Sequence, residues 1–154
     1  MAKTFEHYHL SLIERTQPDL YVAKLSREEW LRDAFKDAFE FVHHGKRLHW
    51  VPHAEGDPNI LGTVEKQKTR LQHRPPEDGA GEFEAVEWQG SLVVIDPVYR
   101  PDGQKLAFEV DLNVGKTNAI LDSMVDHINT RAGSQYAIVV RALFDSEGFW
   151  SFAA

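Results

Sequence analysis

Residues 81–143 read GEFEAVEWQGSLVVIDPVYRPDGQKLAFEVDLNVGKTNAILDSMVDHINTRAGSQYAIVVRAL, and this stretch decides the fold class. Glu82–Trp88, Ser91–Tyr99 and Gln104–Asp111 are apolar-rich extended segments. They are split by Gln89-Gly90 and by Arg100-Pro101-Asp102-Gly103, both suited to hairpin connections. In the second of these, proline pre-sets φ, aspartate bonds its own backbone and glycine accepts a positive φ. Ile120, Leu121, Met124, Val125 and Ile128 then recur at helical spacing, predicting a helix over about Lys116 to Arg131 that Gly133 ends. Ala137-Ile138-Val139-Val140 has no polar face, so Gln135–Leu143 reads as an interior strand.

The N-terminal half adds a strand at Glu6–Glu14, with Tyr8, Leu10 and Leu12 on one face and His7, His9, Ser11 and Ile13 on the other. Leu20–Leu25 is a candidate short strand. Ser26 and Glu29 form a capping-box pattern ahead of Leu31, Ala34, Phe35, Ala38, Phe39 and Val42, which predicts one helix from Arg27 to His44 closed by Gly45. Leu48–Val51 is a short strand, Ile60–Leu71 an extended ribbon, and Gln72–Ala80 a polar loop. The expected fold is α+β: an antiparallel sheet with two helices packed on one face, a ferredoxin-like or related two-layer sandwich. At 154 residues the chain fits a single domain over 1–154, whether whole or the N-terminal part of a longer chain.

The apolar content of 42% and charged content of 27% are those of a globular protein rather than a disordered one. There are no cysteines, which removes disulfides and thiolate metal sites. No apolar run reaches the ~20 residues a bilayer span needs, and the N-terminus lacks an apolar signal core, so the expected location is the cytoplasm. The net charge of −7 comes mostly from residues 51–110, which hold six basic and eleven acidic groups. That balance disfavours nucleic acid at long range unless a local basic patch overrides it.

Motif by motif, the chemistry thins out. His9-Leu10-Ser11 matches the His-x-Ser/Thr element of two-histidine phosphoesterases, but no other histidine has Ser or Thr two residues on. Asn113-Val114-Gly115-Lys116-Thr117 opens a helix like a phosphate loop, yet the first Walker glycine is replaced by Val110. Pro101-Asp102 precedes Glu109, but Asp111 stands where a nuclease pattern requires lysine. The histidines form no metalloprotease spacing, so neither a metal nor another cofactor is expected.

The first expectation is therefore a non-catalytic protein-binding module: a regulator, an immunity or anti-defence inhibitor, or a complex subunit. Its partner surface would include Phe149, Trp150 and Phe152, large rings close to the C-terminal end of the sequence. The alternative is a nucleic-acid-binding domain. Lys66, Lys68 and Arg70 alternate along an extended segment, with Arg74 beyond them, so the first three cations share one face. A second alternative is a small histidine-dependent hydrolase using His7, His9, His49 and His53.

Overall fold

The structure, a computed structural model, describes residues 3–15, 24–54, 58–131 and 134–143. Seven strands form one antiparallel sheet: β1 (Phe5–Glu14), β2 (Phe39–His43), β3 (Lys46–Pro52), β4 (Ile60–His73), β5 (Glu82–Asp96), β6 (Gln104–Glu109) and β7 (Tyr136–Ala142). Their spatial order is β2-β3-β4-β5-β6-β1-β7. The described residues also form two helices, α1 (Arg27–Ala34) and α2 (Thr117–Asn129), and a 3₁₀ turn at Pro76–Asp78. Among the described residues no helix is long and apolar enough to cross a membrane.

The ferredoxin-like sandwich is not what forms. The sheet is a curled half-barrel, and α2 lies in its concavity against both of its edges, β2 and β7. Tyr8, Leu10, Phe41, Leu48, Trp50, Val64, Val93, Leu106, Phe108 and Ile138 point inward from the strands. They meet Leu31 and Phe35 of the α1 region and Ile120, Leu121, Met124 and Ile128 of α2 in one core. The α2 stripe and only the Leu31–Phe35 part of the expected first stripe join a single core, and the sheet wraps round rather than lying flat beneath two helices.

Three local readings explain the difference. The helix expected to reach His44 stops at Ala34, although its capping box forms as the sequence implies. Phe39-Glu40-Phe41-Val42-His43 also carries a period of two, and pairing with β3 buries Phe41 and His43 while leaving Val42 exposed. His44 and Gly45, both at positive φ, make the two-residue hairpin turn rather than a helix cap. Next, Gln89-Gly90 is no turn: Gly90 continues β5 opposite Glu65, so Glu82–Asp96 is one strand of 15 residues. Finally, β7 is an edge strand, and Val139 is exposed on its outer side. The Pro101-Asp102-Gly103 turn does form, with Gly103 N–H donating to Arg100 O at 2.9 Å.

The β4–β5 pair is longer than the sheet that holds it. β3 leaves β4 at Lys66 and β6 meets β5 only from Val93 onward, so among the described residues Gln67–His73 pairs with Glu82–Trp88 alone. Seven residue pairs therefore project as a two-stranded arm, about 20 Å long at the usual strand rise.

Candidate functional site: a basic cleft and arm

The alternation of β4 puts Lys66, Lys68, Arg70 and Gln72 on the concave side of the sheet, opposite Gln89, Glu87, Ala85 and Phe83 of β5. The other side of the arm carries Glu82 and Glu84 with Leu71, Val86 and Trp88. Cations thus face one way and most of the acids the other. Glu87 is the acid on the cationic side, 3.6 Å from Arg70. At the arm's outer end the Arg74 guanidinium lies 5.5 Å from the centre of the Phe83 ring. This supplies an aromatic–arginine platform to a strand that has no aromatic residue of its own.

At the inner end the row of cations enters a cleft of about 220 Å³ between the β2–β3 turn, β4 and the start of α2. Lys46, Lys66, Lys116, His43 and His44 line it, and among the described residues no acidic one does. Lys68 Nζ donates to Asn113 Oδ1 at 3.3 Å, tying the arm to the turn before α2. Burial, with Lys46 and Lys68 nearby, holds the Lys66 ammonium below its ordinary pKa. α2 begins after Lys116 with no side-chain cap and no acidic residue in its first turn. Its first amides, directed by the helix dipole, therefore add positive potential. Gly115 backs the cleft at φ +143°, a value that favours glycine. On the β1 side of the helix start, Thr117 Oγ1 donates to Glu6 Oε2 at 2.8 Å, and Tyr8, its hydroxyl 2.6 Å from Thr117 Oγ1, is pushed up to about 12 by burial.

His43 has a defined orientation. Ser123 Oγ lies 2.8 Å from His43 Nδ1 and 3.2 Å from Ala119 O; with its proton on Ala119 O it accepts from His43 Nδ1–H. The neutral ring then carries its lone pair on Nε2, at the Gly115 side of the cleft. Burial, with His44 and Lys66 beside it, lowers the His43 pKa and keeps the ring neutral near pH 7.

The remaining expectations are dispersed or engaged elsewhere. His7 and His9 are on the outward-facing side of β1, with His9 3.6 Å from Asp102. His49 is 3.7 Å from Glu40 and edge-on to Trp88, and His53 is exposed beyond β3. β4, β5 and β6 separate β1 from β3, so the four histidines of the hydrolase expectation do not converge. Among the described residues no group of three or more His, Asp and Glu is placed to hold a metal. Asp96 pairs with Arg100, Glu109 with Lys3, and Asp111 accepts from Asn113 N–H in the turn. Phe149, Trp150 and Phe152 lie outside the described residues, as does most of the Leu20–Leu25 segment.

Sequence reasoning finds Lys66, Lys68 and Arg70 from alternation alone. It misses Lys46, Lys116 and Phe83, which join them only through strand register and the return of α2. The His44-Gly45 turn signal would have placed Lys46 opposite His43. No family model, curated protein or solved structure matches the chain.

Proposed function

We propose that the protein is a nucleic-acid-binding module that takes a single strand along the concave side of the β4–β5 arm. The observation that carries this reading is the segregation of charge: in a chain of net charge −7, Lys46, Lys66, Lys68, Arg70 and Lys116 gather from separate elements on one side. Phosphates would lie along the lysines and the uncapped start of α2, where backbone N–H groups favour anions. Phe83 and Arg74 offer a base a stacking surface, which suits an unpaired strand better than a duplex. A fluorescein-labelled 12-nucleotide strand tests it. Lys66→Glu with Lys68→Glu should abolish binding, whereas Glu82→Lys with Glu84→Lys, on the other side of the arm, should not weaken it. Equal losses from both pairs would refute a sided site.

A second reading, docking on a partner protein, is favoured by the opposite side of the arm. There Leu71, Val86 and Trp88 are 68%, 57% and 52% exposed and adjacent in the register. Tryptophan is among the residues enriched at interface hot spots. A Trp88→Ala variant that loses a partner retained by the native protein, at unchanged melting temperature, would establish this role.

A further inference from the structure

We infer that the basic cleft cleaves RNA, with His43 as the base that activates a ribose 2′-hydroxyl. The inference rests on the nucleic-acid-binding reading and adds a reaction to it. Four features of the cleft carry it. His43 lines the cleft and is 8% exposed, with its Nε2 on the side of Gly115, another wall residue. With the Ser123 proton on Ala119 O, the tautomer that donates Nδ1–H to Ser123 Oγ leaves the lone pair of the neutral ring on Nε2. Lys46, Lys66 and Lys116 share the cleft and are suited to the charge that grows on a phosphorane's non-bridging oxygens. Finally, among the described residues no carboxylate lines the cleft to repel that charge.

The step balances without a co-reactant. His43 Nε2 takes the 2′-hydroxyl proton as the 2′-oxygen bonds to phosphorus. The bond from phosphorus to the 5′-oxygen breaks, and that oxygen takes a proton from one of the cleft's lysine ammonium groups. The products are a 2′,3′-cyclic phosphate end and a 5′-hydroxyl end. The proton on His43 returns through water to the lysine, restoring both groups. The substrate class is single-stranded RNA, because DNA has no 2′-hydroxyl to activate. Ser123 acts as a positioning residue that fixes the tautomer of His43.

The test uses the whole protein with a 12-nucleotide single-stranded RNA, the same sequence as DNA, and a fully 2′-O-methylated copy, all in EDTA. The expected result is cleavage of RNA alone to 2′,3′-cyclic phosphate and 5′-hydroxyl ends. His43→Asn at saturating RNA should slow the reaction about 100-fold or more, the usual scale of general acid–base catalysis. Ser123→Ala, which leaves the imidazole in place, should slow it less and remains informative should His43→Asn fail to fold. Bound but intact RNA, or cleavage untouched by both substitutions, overturns the inference and leaves the binding reading standing. Failure of all three strands to bind overturns the binding reading, and the reaction falls with it.

Discussion

Nδ1 of His43 lies 2.8 Å from Ser123 Oγ, joining the β2 edge of the sheet to the middle of α2. The opposite edge is held in the same manner. Asn129 Nδ2 donates to Ile138 O at 3.0 Å, and its Oδ1 accepts from Ile138 N–H at 2.8 Å. One helix therefore satisfies polar groups on both edges of a sheet that does not close on itself, and its first turn opens into the basic cleft.

Removing the β7 connection should loosen that edge. Asn129→Ala leaves the Ile138 N–H and C=O without these partners, which costs about 1–3 kcal/mol for groups shielded from water. Urea unfolding reads the loss, and hydrogen exchange should show the Ile138 amide exchanging faster than amides of β4. An unchanged midpoint would mean that α2 is held at this edge by apolar packing alone.

Trp50 should be the most sensitive aromatic. It is fully buried, packs edge-on to Phe35 at 5.3 Å and donates its indole N–H to Phe35 O at 3.0 Å. Trp50→Ala is expected to cost about 3–5 kcal/mol. Gly62→Ala should also destabilise, because a Cβ there would overlap the Trp50 indole. Trp88→Ala should stay within about 0.5 kcal/mol of the native protein, as exposed substitutions do. Chemical denaturation of the three variants separates these outcomes.

Acid should weaken the fold in a defined window. Burial lowers the folded-state pKa of His7, His9, His43 and His127, in each case as the largest cause. Above the unfolded imidazole value of about 6.5 both states are neutral and the stability is complete. As pH falls below that value the unfolded chain takes up protons first, so stability declines until the folded-state pKa values are passed. Melting temperature should therefore fall between pH 7 and pH 5, and the drop should shrink in a variant lacking His43 and His127. A flat profile over that range would show that these rings are not held neutral.

How much was legible in the sequence depends on whether a feature is local. The Ser26–Glu29 capping box, the Pro101-Asp102-Gly103 turn, the inward face of β1 and the α2 stripe are set by neighbours within a few residues, and each appears as read. Phe39–His43 satisfies a helical and a two-residue period at once, and only its partner β3 decides between them. Gly90 carries a turn signal, but its place opposite Glu65 in a long ladder overrides it. β7 looks interior because Ala137–Val140 is wholly apolar, although the chain order leaves it at the edge. The site follows the same division. The Lys66–Lys68–Arg70 row comes from alternation, while the cleft that completes it needs α2 to return across the sheet beside β2, a non-local event.

Salt dependence of single-stranded RNA affinity tests the central claim most directly. Titrations from low to physiological salt should give a linear log–log plot, with a slope near −0.7 for each phosphate neutralised on a single strand. Substituting alanine for Lys46, Lys66 and Lys68 together should make the slope shallower by about 2, three times that increment, and weaken binding most at low salt. Affinity that ignores salt, or a slope unchanged by the triple substitution, would contradict a phosphate-binding site on the concave side of the arm.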